Sequence, residues 1–154
     1  MRLIILLFLI VVLVAACNSA VQEWEAARQA LVDYFSTLNQ EQYSKAVALY
    51  GGSYESLVAM NPDNNSFDLE GLWQNGCTIN GLQCLEVRSA TLVEQDGGTF
   101  VFTVEFNNPD GSRFVLGPCC GADATQMPPL EQFTYEVVKK DGRFLVMDLP
   151  VFVP

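Results

Sequence analysis

Histidine is absent from all 154 residues. That absence removes the serine–histidine–aspartate triad, the cysteine–histidine pair and every metal site built on imidazole. Positive charge is scarce. Eight Lys and Arg stand against 18 Asp and Glu, for a net charge of −10. Nucleic-acid binding draws on Lys and Arg against phosphates, so no nucleic-acid partner is expected. The same sign keeps the body of the protein off anionic lipid and favours solubility. The chain contains no G-x-x-x-x-G-K-[ST], no G-x-G-x-x-G and no G-x-S-x-G, the loops that cradle phosphates or present a nucleophilic serine. The acidic stretch NPDNNSFDLE, 61–70, places Asp63 and Asn65 like the first ligands of a calcium loop. Phe67 and Asp68 then occupy the next ligand and the turn glycine, so the stretch reads as turns and helix caps. No cofactor and no metal is expected.

What the chain does have begins at its first residues. Met1-Arg2 is followed by twelve uninterrupted apolar residues, Leu3 to Val14, and by Ala15-Ala16. A basic start, a short apolar stretch and small residues describe a secretory signal. The apolar run falls short of the about 20 residues that span a bilayer. The tetrad Val14-Ala15-Ala16-Cys17 resembles the lipobox of bacterial lipoproteins, placed directly after the apolar stretch. The resemblance implies cleavage before Cys17 and acylation of Cys17, which becomes the first mature residue. Two or three acyl chains, at about 0.8 kcal/mol per buried CH₂, make a stable anchor where one is marginal. The expected organisation is a signal peptide over 1–16, a lipidated start and short linker over 17–20, and a single domain over 21–154. The protein is expected on the extracytoplasmic side of a bacterial cell membrane. Asn18 is not the aspartate associated with inner-membrane retention, and which membrane of a two-membrane cell it occupies stays open.

The mature chain divides into a helical third and a β-rich remainder. Val21, Trp24, Ala27, Leu31, Tyr34, Phe35 and Leu38 recur at helical spacing,. Asn39 is expected to break that helix and cap a second, with Gln42 completing a polar capping box and Tyr43, Ala46, Val47 and Tyr50 facing inward. Gly51-Gly52 ends it. Short helices are expected over 54–60, capped by Ser53, and over 67–75, capped by Ser66 and stopped by Gly76. From Leu85 the period becomes 2. Residues 85–95 and 99–107 flank Asp96-Gly97-Gly98, Asn108–Gly111 turns into a short strand over 113–117, and 132–140 and 143–149 flank Asp141-Gly142. Helices followed by an antiparallel meander is an α+β pattern. The element order, with the stretch ALVDYFSTLNQEQYSKAVALY, resembles the nuclear transport factor 2-like cone fold shared by ketosteroid isomerases. That resemblance implies helices packed on a strongly curved antiparallel sheet. A cystatin-like arrangement is the competing architecture.

Setting Cys17 aside leaves an even set of four cysteines, which reads as disulfides in an exported protein: Cys77, Cys84, Cys119 and Cys120,. Three pairings exist. Pairing Gln95 with Gly98 across the first turn, and Asn107 with Ser112 across the second, puts Gly117 beside Phe102. Cys84 then lies seven residues from the third strand's end, roughly 23 Å at about 3.3 Å per residue. A disulfide requires Cα atoms within about 7 Å. The Asn-Gly in TINGLQ brings Cys77 to Cys84, which leaves a vicinal Cys119–Cys120 bond. The segment after Gly117, by folding back, would permit crossed pairs instead. Pro118, Gly121 and Asp123 supply neither base nor positive field, so a catalytic thiol is not expected there.

The register Lys140 opposite Arg143 places Phe133, Tyr135, Val137, Phe144, Val146 and Asp148 on one face. An acid beside a phenol on an aromatic face is of the kind ketosteroid isomerases use, and an apolar pocket would raise its pKa. The other reading is that Asp148 hydrogen-bonds at a sheet end. Tyr135, Asp148, Phe133, Trp24 and Tyr34 are the candidate pocket, while aromatics at helical spacing otherwise read as core. The expected function is a non-enzymatic, membrane-anchored domain that binds a small molecule or an envelope protein. The alternatives are an isomerase- or dehydratase-like enzyme using Asp148 and Tyr135, and a structural envelope assembly factor. An enclosed cavity around Asp148 favours the enzyme, and a filled core with an exposed apolar patch favours the assembly factor.

Overall fold

The helical periodicity of the first third becomes a helix over residues 23–39, α1. A computed structural model describes residues 23–153. The signal peptide, the lipobox with Cys17, and Val21 lie outside the described residues. Ala27, Leu31, Tyr34, Phe35 and Leu38 of α1 are buried, as their spacing requires, and Trp24 packs half-buried against the same core. Three shorter helices follow: α2 Tyr43–Leu49, α3 Glu55–Met60 and α4 Leu69–Thr78. Four strands complete the fold: β1 Glu86–Asp96, β2 Thr99–Asn107, β3 Phe133–Lys140 and β4 Arg143–Val146. They form one antiparallel sheet in the order β1-β2-β3-β4. The architecture is α+β, with helices packed on a four-stranded antiparallel sheet. Among the described residues no helix is long and apolar enough to cross a membrane.

β2 is one of the two inner strands of the sheet, and its alternation is complete. Phe100, Phe102, Val104 and Phe106 are buried while the residues between them are not. Burying each such side chain stabilises the fold by about 1.5–3 kcal/mol. Phe35 of α1 meets Phe106 and Tyr135 edge-on, with ring centroids 4.7 and 4.9 Å away. The edge-to-face geometry sets positive ring edges against negative faces.

Several local expectations are corrected. Asn39 is the last helical residue of α1, so the break falls where expected, but it does not cap α2: its side-chain amide donates to the Cys84 carbonyl at 3.1 Å. Gln42 is the N-cap residue of α2, and its side chain makes no cap bond. α4 is capped by Asp68, which accepts from the Gly71 N–H, in place of Ser66. Gly76 does not stop α4. It is buried inside the helix, where a Cβ would lie 2.9 Å from Leu82 Cδ1 and 3.1 Å from Leu57 Cδ2.

The first hairpin turns on Gly97-Gly98 and pairs Asp96 with Thr99, one step outside the expected register. Two irregularities, between Val87 and Ser89 and between Leu92 and Glu94, then shift the pairing along β1. Each inserts an extra residue and raises the local twist. The expected strand over 113–117 is reduced to an Asn107–Arg113 bridge and a bond from the Phe114 N–H to the Phe106 carbonyl. Phe102 is therefore flanked by Leu92 and Tyr135, and Gly117 is not beside it. The last hairpin keeps its expected register, Lys140 opposite Arg143 and Val137 opposite Val146. Asp141 and Gly142 take positive φ of 52° and 76° there, which suits the strand twist.

Cys77 and Cys84 are bonded, with Cα atoms 5.5 Å apart. The expected vicinal bond is not formed: Cys119 and Cys120 are free thiols whose sulfurs lie 2.7 Å apart.

Candidate functional site

The last strand pair ends in a substitution of side chain for main chain. The Met147 N–H donates to the Glu136 carbonyl at 2.9 Å, as the ladder requires. The Glu136 N–H, however, donates to the Asp148 carboxylate at 2.6 Å. The Met147 carbonyl lies against Gly52 instead, 2.1 Å from where a Cβ would stand. Asp148 therefore closes the sheet end, and its backbone carbonyl accepts from the Tyr34 hydroxyl at 3.4 Å.

Beyond Asp148 the chain crosses to the α4–β1 connection. The Gln83 N–H donates to the Val151 carbonyl at 2.7 Å, and the Val153 N–H to the Gly81 carbonyl at 2.9 Å. On the far side of β3, Leu116 and Leu130 exchange both backbone hydrogen bonds, 2.8 and 3.0 Å, and close the neck of the loop between them. These two borders flank an open groove of about 510 Å³. Phe133, Tyr135 and Asp148 line it together with Leu116, Leu130, Val151 and Phe152. Leu130 and Phe152 are 49% and 46% exposed and form apolar flanks, whereas Tyr135 is 2% exposed.

The electrostatics follow from burial. Desolvation pushes the Tyr135 phenol well above its usual value; the Asp148 carboxylate adds to the rise, and a backbone hydrogen bond at Val151 opposes it. Tyr34 is raised for the same leading reason, with Tyr50, Tyr135, Tyr54 and Asp148 contributing. Tyr50 is pushed up to about 12, by desolvation first and then by Tyr54 and Asp148. These phenols stay protonated across the physiological range and act as neutral donors.

No protein-family model matches the chain. No curated protein matches it either. The site is therefore argued from its own chemistry.

The five expected pocket residues do not form one pocket. Phe133, Tyr135 and Asp148 meet in the groove. Tyr34 is fully buried in an aromatic cluster, where its ring stacks on Tyr50 and meets Trp73 edge-on. Tyr50, Tyr54 and Trp73 continue that cluster with centroids 5.1–6.1 Å apart. Rings thus fill the space between α1, α4 and the sheet end. Trp24 packs against the core away from the groove. Leu116, Leu130, Val151 and Phe152 were not legible as site residues. Leu116 reads as part of the expected 113–117 strand and Leu130, Val151 and Phe152 lie outside the expected elements, although the alternation in Val151-Phe152-Val153 is a short strand signal.

A second depression, about 480 Å³, lies between α1 and α2. Its polar side chains satisfy one another, Gln40 donating to Ser36, Gln42 to Gln40 and Lys45 to Gln42. It holds no buried phenol like Tyr135 and no part-buried carboxylate like Asp148, so the groove is the candidate site.

Proposed function

We propose that the protein is a lipid-anchored extracytoplasmic lipoprotein whose domain binds a small, apolar-bodied ligand in the groove beside β3. The observation that carries this reading is the groove: its volume falls in the range of ligand pockets, and apolar flanks surround one buried phenol and one carboxylate,. Asp148 is held by the Glu136 N–H, which suits a fixed acceptor better than a proton-transfer group. The excess of acidic residues disfavours anionic ligands,. The finer assignment to a nuclear transport factor 2-like or cystatin-like fold belongs to this proposal and is supported by element order alone. Anchoring rests on the Val14-Ala15-Ala16-Cys17 tetrad.

Two measurements test the reading. The neutral dye Nile red, titrated into the chain from Asn18 onward, should bind saturably. Leu130→Glu and Phe152→Glu should each weaken binding about tenfold, the value of one buried aliphatic side chain. Dye binding unchanged in both variants would remove the groove as the site. Wild-type protein should sediment with membranes and carry acyl chains on Cys17 by mass spectrometry, and Cys17→Ser should not be acylated. An unmodified Cys17 thiol in the wild type would defeat the anchor.

A further inference from the structure

Cys119 and Cys120 sit on the loop between Leu116 and Leu130, and the loop is stitched at three places. Its neck is the reciprocal Leu116–Leu130 pair. Asp123 organises its far half, its carboxylate accepting from the Thr125 and Gln126 N–H groups and its carbonyl from the Met127 N–H. Between these, the Ala122 N–H donates to the Cys119 carbonyl at 3.0 Å. The two central residues of that turn, Cys120 and Gly121, have φ of +60° and +89°. Successive positive φ is the pattern of a type I′ turn, for which Asn-Gly or Asp-Gly is the usual pair. A cysteine in its first central position is held in a conformation that side-chain-bearing residues disfavour. An outlier of this kind points to a local task. Here it brings two sulfurs within 2.7 Å, unbonded, with Cys120 exposed and Cys119 partly so. The Cys77–Cys84 pair is different in kind: it is bonded and packs against the core.

We propose that Cys119 and Cys120 form a reversible vicinal dithiol–disulfide couple, a thiol-exchange site for small-molecule disulfides on the loop that borders the groove. The more exposed Cys120 thiolate attacks one sulfur of an external disulfide RSSR, forming a mixed disulfide and releasing RS⁻. The Cys119 thiolate then attacks the Cys120 sulfur and displaces the second RS⁻. The protein loses two protons and two electrons, and the external disulfide takes both up as two RSH. The reverse steps reopen the pair. In the reduced pair the hydrogen bond to Cys120 holds the Cys119 thiol above its usual pKa, which disfavours Cys119 as the first nucleophile.

The test uses the full chain in detergent, equilibrated in buffers of graded reduced-to-oxidised glutathione, quenched with acid, alkylated and digested. The peptide spanning 119–120 should pass reversibly from a doubly alkylated form to an unalkylated form two hydrogens lighter, while Cys77–Cys84 stays bonded throughout. Gly121→Val, which burdens the second left-handed position, should shift the closing equilibrium about tenfold toward the thiols. Cys119→Ser should arrest at the Cys120–glutathione adduct. Double alkylation in every buffer would overturn the proposal. So would a wild-type pair that stops at glutathione adducts or that links to Cys77, Cys84 or a second chain. A closing equilibrium unchanged in Gly121→Val would overturn the role given to the turn.

Discussion

At the scale of single residues, two positions carry loads that their side-chain types alone do not reveal. Asp148 replaces a carbonyl in the β3–β4 ladder, so removing its carboxylate orphans the Glu136 N–H. Asp148→Ala should cost about 1–3 kcal/mol, the penalty of an unsatisfied donor. Asp148→Asn keeps an acceptor oxygen and should cost less than about 1 kcal/mol by the same reasoning. Urea denaturation of both variants measures the difference, and equal losses would show that the charge, not the acceptor, matters. Gly81 has φ of +78°, and a Cβ there would lie 2.1 Å from the Val153 carbonyl. Gly81→Ala should therefore combine backbone strain with overpacking and cost about 2–4 kcal/mol. It should also detach the segment that carries Phe152 into the groove. A drop in thermal midpoint with weakened Nile red binding is the expected pair of results.

At the scale of elements, the Cys77–Cys84 bond joins the last turn of α4 to the chain just before β1, across a separation of seven residues. Closing so short a loop in the unfolded chain is worth about 2.5 kcal/mol in the chain-entropy account. The Cys77→Ala, Cys84→Ala double variant should lose about 2 kcal/mol in urea. A loss well below 1 kcal/mol would mean that the Gly76 contacts with Leu57 and Leu82 already hold the junction. β1 faces solvent along most of its length and is an edge of the sheet among the described residues. Its two irregularities and its Glu86, Arg88, Glu94 and Asp96 are the devices by which edge strands resist pairing with other chains,. The shortfall of the 113–117 strand has a related cause. After the Arg113 bridge, β3 takes the edge of β2 from Thr99 to Val104, so no ladder remains for a third meander strand to join.

At the scale of the whole molecule, the tyrosines tie stability to pH. Tyr34, Tyr43, Tyr50, Tyr54 and Tyr135 all have phenols raised by burial in the folded state. The folded protein holds those protons more tightly than the unfolded chain, whose tyrosines titrate near 10. Their contribution is therefore complete below about pH 10 and is lost as pH rises through the folded values, toward about 12 for Tyr50,. Stability should be insensitive to tyrosine ionisation at neutral pH and fall steeply above about pH 10. Tyrosinate absorbance of Tyr34 and Tyr135, the most buried phenols, should appear together with loss of circular dichroism, and ionisation of those two rings in a fully folded protein would contradict it. Much of this molecule is dictated by local pattern. The inward face of α1, the alternation of β2, the Asp141-Gly142 hairpin and the Cys77–Cys84 bond all follow from residues a few positions apart, where period and turn chemistry act directly. The filled aromatic centre is less so: Tyr34, Tyr50, Tyr54 and Trp73 read as core or cavity until the helices carrying them are packed. The groove is decided by tertiary structure alone. Leu116, Leu130, Val151 and Phe152 become neighbours of Tyr135 and Asp148 only through two isolated backbone bridges, Leu116–Leu130 and Leu82–Phe152, and no local periodicity marks a bridge between segments so far apart.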